Sequence, residues 1–193
     1  MVRLLLVAAG ATAGTRALSF GDSGHLVQPE RVEPLTSRVN GWFCGPEPCC
    51  RQTARLLGGA PAVLDSEPTV GDSEPTVLDG LGGPDFSRWA GRELTEVGES
   101  EPEELNRWLS DPAAAPHGGE SLADLVRRVG AVCDTQDWPQ GRSVLVVTPL
   151  VARAAAVHAL GVGPAAIFRL DLAPLGRVGL SGQARSWRLQ QLG

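Results

Sequence analysis

The chain has 193 residues, 42% of them apolar, and a net charge of −5. That length suits one α/β domain burying ~70% of its unfolded surface. All seventeen basic residues are Arg and they are thinly spread, so the basic footprint of a nucleic-acid binder is absent. The longest apolar runs, Leu4–Ala9 and Val144–Val147, fall far below the ~20 residues that a membrane-spanning helix needs.

Val2–Ala8 is a continuous apolar run ending in small residues and Gly10, the pattern of a buried parallel strand feeding a loop. It reads as a first strand rather than a secretion signal, whose apolar region is normally longer, and a cytoplasmic location follows. Trp42–Cys44 reads as a short second strand, closed by Gly45-Pro46-Glu47-Pro48. A helix over Cys50–Leu57 then ends at Gly58-Gly59, and Ala60–Val63 is a third strand candidate. In the cytoplasm Cys44, Cys49, Cys50 and Cys133 are expected as buried thiols more than as disulfides.

The next segment is a tandem duplication, Asp65–Val70 and Asp72–Val77, rich in Pro and carboxylates. It predicts an exposed loop insertion at about 64–80. Leu94–Leu109 carries helical patterning, broken at Glu101-Pro102 and stopped by Asp111-Pro112. Ser121 caps a helix to about Thr135 that places Leu122, Leu125, Val126, Val129 and Val132 on one face. Ser143–Thr148 is the cleanest buried strand, followed by a helix over Val151–Leu160 that ends at Gly161. Ile167–Leu172 and Ser186–Leu189 are late strand candidates. Strand and helix patterns alternate throughout, which predicts one α/β domain over residues 1–193. Its architecture is three-layer, a mostly parallel sheet with helices on both faces.

Six segments in order carry a resemblance to a known family. Arg3–Ala17 (RLLLVAAGATAGTRA) is similar to a strand and RHG-x-T loop, with Ala8-Ala9-Gly10 standing for Arg-His-Gly. Phe43–Gly58 (FCGPEPCCRQTARLLG) is similar to an SP-x-x-RA-x-QTA helix entry. Asp85–Leu94 (DFSRWAGREL) resembles a GRWEG segment, and Asp111–Val129 resembles a helix start of the Pro-x-Gly-Glu-Ser type. Ser143–Gly161 resembles a late strand whose tip reads Thr-His-Gly, and Arg169–Leu189 resembles the closing strands. Together they resemble the histidine-phosphatase (phosphoglycerate-mutase-like) superfamily.

That resemblance implies the family's fold and a chemistry in which one His takes the phosphoryl group. Two Arg and a second His cradle the phosphate, and a carboxylic acid protonates the leaving group. Covalent transfer needs an unprotonated imidazole aimed at phosphorus and positive charge around the equatorial oxygens. Carried onto this chain, the nucleophile falls at Ala9, the cradle Arg residues at Ala8 and Cys49, and the second His at Pro149. The acid falls near Gly83, between Asp79 and Asp85. His25, His117 and His158 all lie away from the strand tips. The expectation is a degenerate member without phosphatase or mutase activity, its phosphate pocket converted to a neutral one.

The polar residues left around that pocket are Thr12, Thr15, Arg16, Asp22, His117, Glu120 and Thr148, beside Ala8, Ala9, Cys49 and Pro149. On the plainer reading Thr12 and Thr148 satisfy loop backbone and Glu120 completes a helix start. On the sharper one Glu120 or His117 is a general acid or base, or Cys49 a thiolate lowered by a helix N-terminus. No metal and no cofactor is expected, since Cys44-x₄-Cys49-Cys50 is not a strong metal spacing. The expected partner is a small, non-phosphorylated metabolite of the kind found in specialised metabolism, with neither nucleic acid nor membrane involved. The alternative is a non-catalytic pseudo-phosphatase that binds a ligand or a protein.

Overall fold

The computed structural model describes residues 1–21, 24–27, 32, 34–58 and 74–193. Among the described residues the apolar runs form the centre of a six-stranded mixed sheet. Strand β1 (Val2–Ala8) pairs in parallel with β4 (Gly141–Val147), β4 with β2 (Gly41–Cys44), and β2 with the two-residue β3 (Thr76–Val77). On the other side of β1, β5 (Arg177–Gln183) and β6 (Ser186–Leu192) run as an antiparallel hairpin, giving the order β3-β2-β4-β1-β5-β6. Because β1 and β4 are central, both faces are covered and their side chains are apolar without alternation. Leu5 sits opposite Val144 and Leu6 opposite Leu145 in that register.

Odd and even positions of these strands feed two separate cores. Leu4, Leu6, Ala8, Leu145 and Val147 pack with Leu125 and Val129 of α5 (Leu122–Thr135) and Ala154 and Val157 of α6 (Pro149–Leu160). Leu5, Val7, Ala9, Val144 and Val146 pack with Cys49, Cys50, Ala54 and Leu57 of α2 (Pro48–Leu57). The result is three layers, as the alternation of patterns predicts. The remaining α-helices among the described residues are the five-residue α1 (Ala13–Ala17), α3 (Leu94–Ser100) and α4 (Pro102–Ser110), the last two divided at Glu101-Pro102. Among the described residues no helix is long and apolar enough to cross a membrane.

Four local expectations need correction or fall outside the structure. Helices α2 and α6 begin at Pro48 and Pro149, two residues before the expected starts, because proline suits the first helical position where its missing N–H is not needed. Ile167–Leu172 is no strand: Pro164–Arg169 is a 3-10 helix, so Pro164 starts a tight turn that the β-branched Ile167 joins as core. Thr76–Val77, expected as loop, adds the sheet's edge strand, and Asp79–Leu81 is another 3-10 helix. The strand candidate Ala60–Val63 and the rest of the duplication up to residue 73 lie outside the described residues.

Candidate functional site

The parallel strands β1, β2 and β4 all end on one side of the sheet, and the loops leaving them carry the positions singled out above. Ligands of open α/β sheets gather at such strand ends. At the tip of β1, the Ala8 N–H donates to the Gly176 carbonyl at 2.9 Å and the Ala9 N–H to Val147 at 2.8 Å. Both alanines are fully buried. Gly10 follows with its N–H on Thr53 Oγ1 at 3.0 Å, and any β-carbon there would stand 3.0 Å from Leu26.

Thr12 serves the loop backbone, as the plainer reading has it, and Thr15 does so with it. The Thr15 N–H donates to Thr12 Oγ1 at 3.0 Å and the Thr12 N–H to Thr15 Oγ1, a reciprocal cap on α1. Arg16 lies on that helix's exposed side, and Asp22 lies outside the described residues. Helix α2 holds the loop after β1 with two adjacent side chains. Thr53 takes the Gly10 N–H, and Gln52 Oε1 accepts from the Leu26 N–H at 3.0 Å while its amide nitrogen meets His25 Nδ1 at 2.8 Å.

Cys49 and Cys50 occupy the second and third positions of α2, with 2% and 0% of their surface exposed. A hydrogen bond from the Cys50 thiol lowers that of Cys49, against the cost of burial. The same bond, then burial and the neighbouring negative charge of Glu47, pushes Cys50 far up, so Cys50 keeps its proton. Burial likewise raises Cys44 to about 11 and Cys133 to about 12. All four thiols are free and buried. Among the described residues no three His, Cys, Asp or Glu side chains are grouped so as to hold a metal ion.

Two side chains take other roles than the plainer reading gave them. Glu120 does not cap α5: Ser121 does, accepting from the Asp124 N–H at 3.1 Å. Glu120 instead forms a two-pronged pair with Arg128, at 2.8 and 2.6 Å. The same guanidinium donates to the carbonyls of Gly80 and Gly82, fixing the loop before Gly83. Thr148 precedes α6 but makes no cap, and its Oγ1 is buried without a partner among the described residues. His117 is 1% exposed, its ring centroid 5.5 Å from that of Phe86 and 5.1 Å from that of Trp89. His158 pairs with Asp134 at 3.2 Å near the far end of α6.

A cleft of about 490 Å³ opens between the Gly82–Gly83 and Gly118–Gly119 turns, with Asp79, Asp85, Glu120 and Arg128 on its walls. Next to it Glu47, a residue the sequence marked only as part of a turn, accepts from the Gly83 N–H. A β-carbon on Gly83 would lie 3.3 Å from Glu47 Oε1. A carboxylate thus stands over Gly83, near which the resemblance puts an acid, but it comes from Glu47. Sequence spacing carried no signal for this, nor for Arg128, because both act through folded loops distant along the chain.

Comparison with known proteins agrees with this architecture. The model of the histidine phosphatase superfamily (branch 1) matches residues 30–193. The bifunctional protein Rv2228c of Mycobacterium tuberculosis and the uncharacterized protein Mb2253c of Mycobacterium bovis are each 38% identical over 96 residues, 49% of this chain. The chain spans about a quarter of their length, 26% in each case. A mutant phosphoserine phosphatase from Entamoeba histolytica superposes with a TM-score of 0.78 at 16% identity, covering 100% of this chain and 96% of that one. The mycobacterial glucosyl-3-phosphoglycerate phosphatase Rv2419c gives 0.71 at 21% identity, over 97% and 96%. At such identities the structures speak for the fold, while the family match takes in most of the chain. This protein belongs to branch 1 of the histidine phosphatase superfamily.

Proposed function

We propose that this chain keeps the histidine-phosphatase fold without phosphohistidine chemistry, its phosphate pocket converted to a neutral one that acts on a small, non-phosphorylated metabolite. The observation that carries the reading is the state of the strand tips. Ala8 ends β1 and Ala9 follows it, both as buried, hydrogen-bonded backbone positions, and Pro149 opens α6 next to β4. A buried methyl group is no nucleophile, and no charge at these positions meets a phosphate. The family match itself begins at residue 30, after the β1 loop. Glu120 does not fit a general acid well, since Arg128 engages both its oxygens, and His117 is packed away from solvent.

A second reading is a binding protein without catalysis. One solved neighbour, a His-to-Ala mutant of phosphoserine phosphatase, is found in complex with phosphoserine, so loss of a histidine in that protein is compatible with ligand binding. The assay is turnover of p-nitrophenyl phosphate, phosphoserine and a sugar phosphate by rigorously purified protein, with acid-labile phosphoenzyme followed in parallel. No turnover and no labelled protein is the expected result. Turnover that tracks the protein through purification would overturn the reading, and tight binding of phosphoserine without turnover would favour the second.

A further inference from the structure

His25 lies on the short stretch that runs beside the loop after β1. Val27 donates its N–H to the Ala11 carbonyl at 3.1 Å, Leu26 bridges to Thr12, and the Leu26 side chain packs on Gly10. His25 itself is exposed, at the strand-end side of the sheet where a ligand would enter. Its ring is nevertheless oriented, and the chain of hydrogen bonds that orients it has a fixed direction.

That direction starts at a backbone group. The Leu26 N–H can only donate, so the Gln52 atom 3.0 Å from it is the carbonyl oxygen. The other end of the Gln52 side chain is then the amide NH₂, which has donors alone to offer. It lies 2.8 Å from His25 Nδ1, which must accept with its lone pair. A neutral imidazole with an accepting Nδ1 carries its proton on Nε2. Gln52 is nearly buried on α2, so water competes little for either end of this relay.

We propose that His25 is a ligand-binding residue of this site, presenting Nε2–H as an oriented donor to the uncharged oxygen of a carbonyl- or amide-bearing small molecule. The inference rests on the reading that the pocket no longer takes phosphate, and names the group it takes instead. The relay sets the imidazole against nucleophilic use, because attack needs a lone pair on the outward nitrogen and Gln52 puts the proton there. It suits an oxygen acceptor that approaches the exposed face of the ring. If chemistry follows, the same N–H stabilises charge growing on that oxygen.

The relay makes the test sharp. Gln52→Glu is nearly isosteric and still accepts from the Leu26 N–H, but its second oxygen accepts where the amide donated. In that variant the proton moves to His25 Nδ1. Long-range ¹H–¹⁵N spectra at a pH high enough to keep the ring neutral should show Nε2 pyrrole-like in the unmodified protein and pyridine-like in Gln52→Glu. A pyridine-like Nε2 in the unmodified protein, or one indifferent to the variant, would overturn the inference. N-methylacetamide should shift the unmodified protein's Nε2 resonance, with at least a tenfold weaker effect in Gln52→Glu, while inorganic phosphate leaves it in place. No response to the amide, or an equal response in both proteins, would also overturn it. Phosphate turnover in the separate assay would sink the underlying reading instead, whatever the tautomer.

Discussion

The His117 ring is enclosed by Phe86 and Trp89, and its Nδ1 accepts from the Gly119 N–H at 3.0 Å. Nε2 is buried with no partner among the described residues. Burial is the first cause that lowers its pKa, and Arg88 adds to it while Asp85 opposes. The sign of the pH effect follows. As pH falls, the unfolded chain takes up a proton near pH ~6.5, before the folded ring does. Stability from this residue is therefore complete above that pH and is lost as pH falls below it. His117→Asn keeps an acceptor for Gly119 and removes the titration, at a packing cost of about 1–3 kcal/mol. Thermal unfolding from pH 7.5 to 5 should thus show a flatter profile for the variant from a lower starting point. Parallel profiles would mean that His117 titrates as an ordinary surface imidazole. From sequence, this histidine was a catalytic candidate because it precedes Gly118-Gly119-Glu120. What the spacing did not disclose was the aromatic cage, built from residues some thirty positions upstream.

Helices α5 and α6 meet through a glycine that intrinsic propensity would argue against. A β-carbon on Gly130 would stand 2.3 Å from His158 Nδ1, so the imidazole lies flat against the backbone of α5. The ring has little room to retreat, because its Nε2 is held 3.2 Å from Asp134 Oδ2. Asp134 also accepts from the Arg185 N–H and Trp187 Nε1 of the closing hairpin, at 2.8 and 2.9 Å. Gly130→Ala gains about 1 kcal/mol of helix propensity but forces this ring out, at about 1–3 kcal/mol. The expected outcome is a lower urea midpoint, recovered when His158→Ala is added. A higher midpoint for the single variant would show that the ring moves aside freely. Elements with strong patterning were legible from sequence: the Ser121-capped helix, the break at Glu101-Pro102, and the apolar strands β1 and β4 match their expected positions. Short segments were not. Ile167–Leu172 has the composition of a strand, and the Pro-initiated 3-10 turn was decided by its packing on α6. The hairpin strand β5 has three glycine or serine positions in its interior, which dilute any alternating pattern.

At the scale of the whole molecule, packing and chemistry at the strand ends point the same way. Ala9 belongs to the core formed with Leu5, Val7, Leu26 and Ala54, and Ala8 to the core on the opposite face. The prediction is that Ala9→His alone confers no turnover of p-nitrophenyl phosphate and no acid-labile phosphoenzyme. The imidazole would first have to displace core side chains, an overpacking cost of about 1–3 kcal/mol. It would then act without the cationic groups whose individual loss costs ~10²–10³ in rate, and such groups fail together rather than additively. Completing the set with Ala8→Arg, Cys49→Arg and Pro149→His supplies the charge but puts two guanidinium groups at positions exposed 0% and 2%. Unpaired buried charge is costly, so the fourfold variant should melt lower by roughly 10 °C or more, where the single variant falls by a few degrees. Two measurements decide it, turnover of the single variant and the melting temperature of the fourfold one. Turnover above that of the unmodified protein would show a phosphate site still open at β1. An unchanged melting temperature would show that positions 8 and 49 open to solvent in solution and accept the added charge there.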